Sequence, residues 1–259
     1  MYEARNITVT IAGRNLVDAV DVSLAPGKVT VLIGPNGAGK STALKVIAGE
    51  LRPTSGSVHL HGADIASLSP RDLARQRSVL AQSVALAFPF TVDEVVRLGM
   101  SEGFSRSRAD ALVSRALEAV GMRAEIGRSC PSLSGGEQQR VHLARVLVQL
   151  WSQPADGPAR YLLLDEPTAS LDIAHQFLVM RLARAHAEEG GGVLAVMHDL
   201  NLAAMLADEI VALAAGRIAA KGPPSEVIND RLLADVYGVA LRVGATPPGI
   251  FVLPQSISV

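Results

Sequence analysis

The sequence predicts an α/β fold with a mostly parallel sheet, and two patterns support this. Short runs of Val, Ile and Leu bounded by Gly, Asp or Pro are typical of strands buried on both faces. These runs are Val29–Ile33, Tyr161–Leu164, Val193–Met197 and Ile210–Ala215. Segments with helical periodicity alternate with them, at Thr42–Ala48, Arg108–Val120, Gly135–Leu150, Leu178–Glu188 and Leu200–Ala207. Strands that alternate with helices indicate a parallel sheet.

Two regions depart from this alternation. Ile7–Ile11 and Val17–Leu24, joined by a turn at 12–14, predict an antiparallel β subdomain at the N-terminus. Residues 84–157 look mainly helical, so we expect an inserted helical subdomain there, which ends in a Pro- and Gly-rich loop. The rest of the chain, 1–83 and 158–259, is expected to form the β subdomain and the sheet core of one domain.

Composition limits the function classes. The chain has 259 residues, 49% of them hydrophobic, and a mean hydropathy of +0.28, yet its apolar runs are far shorter than the roughly 18–20 residues of a spanning helix. The net charge of −1 argues against a nucleic-acid-binding protein. The N-terminus lacks the pattern of a secretory signal, and the only cysteine, Cys130, fits a reducing cytoplasm.

A complete phosphate-binding pattern follows the first apolar run. The pattern G-x-x-x-x-G-K-[ST] is matched by Gly34, Pro35, Asn36, Gly37, Ala38, Gly39, Lys40 and Ser41, and Thr42 continues into a helical segment. Glycines let consecutive backbone N–H groups face a phosphate, and Lys40 brings a positive charge to it. The Ser41 hydroxyl suits Mg²⁺. An ordinary glycine-rich turn is the alternative, and the flanking strand and helix argue against it.

Two acids follow a later strand. Asp165 and Glu166 end the run that starts at Tyr161. Ligands bind at the carboxyl ends of strands in open α/β sheets, so both carboxylates should emerge beside the phosphate loop. Asp165 is then placed to hold Mg²⁺, and Glu166 is placed to orient or deprotonate an attacking water. Alone, such a pair is more often a helix cap or a turn.

A third motif is specific to one family. The segment 133–140 reads Leu-Ser-Gly-Gly-Glu-Gln-Gln-Arg, and it resembles the signature of ATP-binding-cassette ATPases. Its helix start could bind an anion through Ser134, Gly135 and Gly136, although Ser134 and Glu137 also have the spacing of a simple capping box. In that family two chains pack head to tail, and each signature closes on the nucleotide held by the other chain.

The resemblance covers nearly the whole chain and implies further roles. It implies a RecA-like P-loop core, with ATP and Mg²⁺ bound. Gln82 matches the glutamine that senses Mg²⁺, Asp172 in Ser170-Leu171-Asp172 matches the loop at the dimer interface, and His198 matches the residue that contacts the γ-phosphate. The implied catalytic residues are Lys40, Glu166 and His198, with Ser41, Gln82 and Asp165 at the metal.

Within the family, the sequence is similar to importers of metal chelates. The stretch 88–99 and the segment 137–151 resemble most the ATPase subunit of haem importers. This implies a homodimer at the cytoplasmic face of the inner membrane, two copies of a membrane permease, and a periplasmic haem-binding protein. Import of a ferric siderophore or cobalamin, or a soluble ATPase of iron–sulfur cluster assembly, are the alternatives. A binding module without turnover would lack Glu166 or His198.

Three further features of the sequence concern base recognition, a partner surface and a metal site. The family usually has an adenine-stacking aromatic where this chain has Ile11, which predicts weaker base discrimination. Phe88 and Phe90 could form a groove for a partner helix or pack in the helical subdomain. His59 and His61 alternate as on one strand face, but a third metal ligand is missing from the nearby sequence, so a solvated strand face is expected. His142, His175 and His186 receive no function.

Overall fold

The strands of the computed structural model confirm the predicted class. The structure describes residues 1–82, 88–101, 103–154, 157–169, 171–246 and 248–256. Its strands are β1 (Tyr2–Ile11), β2 (Arg14–Leu24), β3 (Val29–Ile33), β4 (Ser55–Leu60), β5 (Ala63–Asp64), β6 (Arg77–Leu80), β7 (Tyr161–Asp165), β8 (Gly192–Val196), β9 (Glu209–Ala214) and β10 (Arg217–Gly222).

The helices alternate with these strands. They are α1 (Lys40–Ile47), α2 (Pro70–Gln76), α3 (Val92–Arg97), α4 (Arg106–Ala119), α5 (Gly135–Trp151), α6 (Ile173–Glu188), α7 (Leu200–Leu206), α8 (Pro224–Val227) and α9 (Asp230–Tyr237). Helix α6 begins five residues before the predicted Leu178, because the Asp172 side chain caps it by accepting from the His175 N–H.

The main sheet has the strand order β10-β9-β3-β8-β7-β6. All its neighbouring pairs are parallel except the edge pair of β9 and β10. The carboxyl ends of β3, β7 and β8 therefore meet at one edge, and the residues that follow these strands are 34–39, Glu166 and His198. This topology brings the phosphate loop and the two later motifs together.

Both faces of the sheet are covered, as the continuous apolar strands predict. In β3, Val29, Val31 and Ile33 face one apolar cluster with α5 and α6, whereas Leu32 faces the other with α1. Strands β7 and β8 divide their side chains in the same way. Burial on both faces makes β3, β7 and β8 a firm base for the loops at their ends.

The N-terminal sheet is antiparallel, with the order β2-β1-β4-β5. It packs on the α1 side of the main sheet, where Tyr2 is fully buried edge-on against Tyr161 at 5.2 Å between ring centroids. The Tyr2 hydroxyl donates a hydrogen bond to the carbonyl of Ile47 in α1. The contacts to Tyr161 and Ile47 join the N-terminal sheet to both the main sheet and the helix after the phosphate loop.

Helices dominate the chain between β6 and β7. Among the described residues of this stretch, the only strand-like pairing is an isolated bridge between Thr91 and Ser129. Helix α5 packs on α3 and α4 and also on β6, so it connects these helices to the main sheet. The limits of a helical subdomain at 84 and 157 remain a prediction, since 83–87, 102, 155 and 156 lie outside the described residues.

Candidate active site

The phosphate loop lies between β3 and α1. Two of its glycines are required by close contacts: a Cβ on Gly34 would lie 2.2 Å from the Leu213 carbonyl oxygen, and one on Gly39 would lie 2.3 Å from that of Leu16. Both residues also have positive φ, 144° and 98°. Residues 35–38 complete the loop, and Lys40, Ser41 and Thr42 form the first turn of α1.

Lys40 is folded onto its own loop. Its Nζ donates to the carbonyl oxygens of Gly34 at 2.8 Å and Pro35 at 3.0 Å, and the residue is buried. Burial lowers the pKa of Lys40, while the nearby carboxylates of Glu166 and Asp165 act in the opposite direction. A cation is thus held in place at the mouth of a loop whose shape suits a phosphate.

Asp165 meets the phosphate loop helix directly. The Ser41 Oγ donates to Asp165 Oδ1 at 2.9 Å, and Asp165 is only 4% exposed. Burial raises the pKa of Asp165, and the hydrogen bond from Ser41 lowers it by a smaller amount. A hydroxyl and a carboxylate in contact beside a phosphate loop are oxygen ligands of the kind that Mg²⁺ prefers.

Glu166 is held by three residues from two other parts of the chain. Gln82 Nε2 donates to its Oε2 at 2.8 Å, and His198 Nε2 lies 2.6 Å from its Oε1. Its backbone has φ +52°, in the left-handed region, and its N–H donates to the Val196 carbonyl at 3.1 Å. We call Ser41, Gln82, Asp165, Glu166 and His198 the carboxylate cluster.

The segment 133–140, here called the signature segment, is arranged differently. Ser134 caps α5 in a complete capping box: its backbone N–H and its hydroxyl each donate to Glu137 Oε2 at 2.8 Å. These hydrogen bonds lower the pKa of Glu137. Gly135, which is exposed, and Gly136, which is half-buried, begin this helix. Ser134 and Glu137 thus form the capping box that their spacing predicts.

Asp172 is also bonded within its own helix. It caps α6, accepts from the His175 N–H at 2.9 Å, and lies 2.7 Å from His175 Nδ1. The backbone hydrogen bond lowers the pKa of Asp172, whose side chain remains 67% exposed. Ser170, which precedes it in the motif, lies outside the described residues. Among the hydrogen bonds of the described residues, none joins Asp172 or Ser134 to the carboxylate cluster.

The base-stacking position is open to solvent. Ile11 ends β1 and is 53% exposed, whereas Tyr2, the nearest aromatic residue before it, is fully buried and cannot take its place. The following hairpin reaches the phosphate loop, because the Leu16 carbonyl lies against Gly39.

Other sequence hypotheses have mixed outcomes. The prediction that His59 and His61 share one strand face is wrong: β4 ends at Leu60, and His61 lies in the turn with φ +51°, bonded to the Ala159 carbonyl at 2.9 Å. No group of three His, Cys, Asp or Glu side chains that could hold a metal ion occurs in the part of the chain that the structure describes.

The two phenylalanines after the glutamine loop differ in exposure. Phe88 is 66% exposed, as a partner surface would be, whereas Phe90 packs against the core.

Two residues near the site, Gln139 and Tyr237, have contacts that the sequence does not predict. Gln139 of the signature segment donates through Nε2 to the backbone carbonyls of Glu166 and Pro167. Tyr237 at the end of α9 has its pKa raised by burial, and the adjacent Gly34 backbone opposes this. Neither contact has a sequence signal, because each depends on how distant segments pack.

Fold and site together define a class, a nucleotide-binding P-loop ATPase. The family model described as "ABC transporter" matches residues 17–169, which is more than half of the chain. The chain belongs to the ABC transporter family of ATP-binding-cassette ATPases, so it binds and hydrolyses ATP. No helix in the described ranges is both long and apolar enough to span a bilayer.

Curated relatives match over their full length. The chain is 52% identical to the hemin import ATP-binding protein HmuV of Rhizobium meliloti (strain 1021), with 99% of both chains covered. It is 50% identical to the protein of the same name from Chelativorans sp. (strain BNC1), with 100% of both covered.

Solved structures agree with the fold. A dimeric bacterial ABC transporter cassette is 26% identical with a TM-score of 0.76, over 86% of this chain and 99% of that one. A dimeric post-hydrolysis cassette bound to ADP and Pi is 25% identical with a TM-score of 0.75 and the same coverage.

Proposed function

We propose that this chain is the ATP-hydrolysing subunit of a haem importer. The observation that carries the substrate class is the 52% identity, over 99% of both chains, to a hemin import ATP-binding protein. The cluster around Glu166 supports turnover rather than binding alone, because Lys40, Glu166 and His198 are all present and close to the phosphate loop.

ATP would bind where Lys40 now meets its own loop. The Nζ would exchange the carbonyls of Gly34 and Pro35 for phosphate oxygens, while the N–H groups of residues 36–42 surround the β-phosphate. Phosphate oxygens carry negative charge and the carbonyl oxygens do not, so the attraction to the Lys40 ammonium favours this exchange.

Mg²⁺ fits the oxygen ligands on the other side of the loop. We propose that Ser41, Asp165 and Gln82 hold it, directly or through water, since Ser41 and Asp165 already meet at 2.9 Å. Bound there, the ion would neutralise charge on the β- and γ-phosphates. Its two positive charges would also offset the burial that raises the pKa of Asp165.

Glu166 would act as the general base. A water attacks the γ-phosphorus, the bond from that phosphorus to the β–γ bridging oxygen breaks, ADP leaves, and the Glu166 carboxylate accepts the water proton. Both carboxylate oxygens are bonded here, to Gln82 and His198. We propose that nucleotide draws these two side chains towards the metal and the γ-phosphate, which frees the carboxylate for water.

Two copies would complete the site. Ser134, Gly135 and Asp172 are exposed, the side chains of Ser134 and Asp172 bond within their own helices, and a solved relative is dimeric. We propose that Ser134, Gly135, Gly136 and Glu137 of each copy close on the nucleotide of the other. ATP binding would then close the dimer and hydrolysis would reopen it.

A cleft beside α2 suits the membrane partner. It has a volume of about 990 Å³ and is lined in part by Arg75, Leu98, Met100, Phe104 and Arg108. Leu98 is 59% exposed, and the Arg108 guanidinium lies 4.9 Å from the centre of the Phe104 ring. We propose that a segment of the permease with apolar and acidic side chains docks here, at the cytoplasmic face of the inner membrane.

Reconstitution tests the whole proposal. The chain and its permease are placed in vesicles, and ATP-driven uptake of haem, a ferric siderophore and cobalamin is measured, with the Glu166→Gln chain as the matched control. We expect uptake of haem that the control lacks. Uptake of the ferric siderophore or of cobalamin instead would show that this chelate, and not haem, is the substrate. If no membrane protein co-purifies and no chelate enters, the iron–sulfur assembly alternative would be favoured. Substrate delivery by a periplasmic haem-binding protein is checked by adding it to the same vesicles.

A further inference from the structure

The signature helix touches the backbone of the proposed general base in the same chain. Gln139 lies in the second turn of α5, half-buried, five residues after the Ser134 cap. Its Nε2 donates to the Pro167 carbonyl at 3.0 Å and to the Glu166 carbonyl at 3.4 Å. The amide therefore binds the peptide units on either side of Pro167, the residue that follows the proposed base.

This contact falls where the backbone needs support. Glu166 has φ +52°, a conformation that a residue with a Cβ adopts only when its surroundings enforce it. One restraint is the bond from its N–H to the Val196 carbonyl in β8, and Gln139 supplies the restraint on the carbonyl side. The direction of the Glu166 side chain depends on this conformation, because φ sets where the Cβ points.

We propose that Gln139 is a positioning residue for hydrolysis. It fixes the Glu166 backbone so that the carboxylate faces the γ-phosphate, and it transmits the position of the signature segment to that carboxylate. Helix α5 is continuous from Gly135 to Trp151, so a shift of its capped end, when a second copy closes on Ser134, also moves Gln139. Each chain's signature would thereby report the partner's nucleotide to its own base. This inference rests on the proposed role of Glu166.

The test compares two glutamines of the same helix. Gln149 is also half-buried and donates two hydrogen bonds to backbone carbonyls, those of Ala74 at 2.7 Å and Arg77 at 3.0 Å, but it does not touch Glu166. We expect Gln139→Leu to lower kcat on the order of 10²-fold with KM and ATP affinity little changed, the pattern of a misplaced catalytic group. Gln149→Leu should reduce thermal stability by a similar amount without this loss of kcat.

Two further variants separate positioning from folding. Gln139→Glu keeps the size of the side chain but places a carboxylate against two carbonyls, so it should lower kcat at least as much as Gln139→Leu. In the Glu166→Gln background, Gln139→Leu should cause little further loss, because residues that act as one unit are not additive. Equal losses of kcat from Gln139→Leu and Gln149→Leu, or full additivity with Glu166→Gln, would overturn the inference.

The same kinetic data distinguish failure of the positioning role of Gln139 from failure of the proposed role of Glu166 as general base. If Glu166→Gln hydrolyses ATP at the wild-type rate, the role of Glu166 is wrong and the inference falls with it. If Glu166→Gln loses hydrolysis but Gln139→Leu keeps the wild-type kcat, the role of Glu166 stands and only the positioning role of Gln139 is wrong. Thermal unfolding of every variant shows that each is folded at the assay temperature.

Discussion

The carboxylate cluster and the signature segment differ in how far one chain completes them. In the cluster, side chains from α1 and from the carboxyl ends of β6, β7 and β8 already bond to one another across as many as 124 residues of sequence. In the signature segment, the side chains of Ser134 and Glu137 hydrogen-bond across the helix start that they cap. The cluster is therefore assembled within one chain, whereas the signature segment satisfies only the start of its own helix. This difference fits the proposal that the signature segment acts on the nucleotide of a second copy.

The largest expected effect tests the cluster. Glu166→Gln should lower ATP hydrolysis by about 10² to 10⁴-fold, because it removes the proposed base. ATP binding should stay close to wild type, since Lys40 and the loop backbone are unchanged. Steady-state hydrolysis and equilibrium nucleotide binding measure the two, and size-exclusion chromatography with ATP should show an accumulated dimer. Loss of binding together with hydrolysis would contradict this division of roles.

The second prediction separates the two regions by mixing variants. Lys40→Ala should lose ATP binding at its own loop, and Ser134→Ala should bind ATP but fail to support hydrolysis in its partner. Each homodimer should be inactive. A mixed dimer contains one intact site, from the loop of the Ser134→Ala chain and the signature of the Lys40→Ala chain. With random pairing, an equal mixture should regain about a quarter of the wild-type rate, because half of the dimers are mixed and each has one intact site of two.

The control for that mixture uses two variants of the same region. A mixture of Lys40→Ala with Glu166→Gln chains leaves a defective loop side in both sites, so it should show no recovery. No recovery in the first mixture would show that the two regions act within one chain. Recovery in the second mixture would show that Lys40 and Glu166 of one site come from different chains. Ser134→Ala should also lower the free energy of unfolding by about 1 kcal/mol, because the helix loses its cap. Thermal unfolding measures this loss and shows whether the variant is folded in the assay.

A smaller effect concerns the buried acid of the cluster. The pKa of Asp165 is raised by burial, so the folded chain binds this proton more tightly than the unfolded one, and stability falls as pH rises from the unfolded pKa through the folded pKa. Asp165→Asn removes this loss while its Oδ1 can still accept from Ser41. We expect Tm at pH 7 to rise by roughly 2–4 °C, about 1 kcal/mol, and the gain to vanish in acid. Thermal unfolding from pH 3 to 7 measures this, and hydrolysis should be lost.

The smallest effect lies outside both regions. Ile11→Tyr should strengthen ATP binding by about 0.5–1.5 kcal/mol if the ring stacks on the base, and should increase the preference for ATP over GTP. Ile11→Leu is the control that keeps an aliphatic side chain. If the ATP affinity and the preference for ATP over GTP are the same in the wild type and both variants, position 11 does not contact the base.

The sequence predicts the fold and the cluster well for one physical reason. Buried parallel strands require continuous apolar runs, and the loops that follow such strands emerge at one shared edge, so the pattern of residues alone places Asp165 and Glu166 beside the phosphate loop. The place of His198 in the site is implied by the family resemblance. Contacts set by packing cannot be predicted in this way. The turn that takes His61 out of β4, and the reach of Gln139 to Pro167, depend on distances between segments that pattern does not encode. Helix α2 has no predicted counterpart, although Ser69 at its start is a typical capping residue.

The lysine bonded to its own loop has a consequence for the order of events in the cycle. Because Lys40 bonds to the carbonyls of Gly34 and Pro35, the loop can keep its curvature between turnovers through contacts within the chain. Product departure then returns the cation to a resting contact instead of leaving a buried charge unpaired. Replacement of Lys40 by a neutral side chain would remove that resting contact too, so the loop should lose order between turnovers as well as during them.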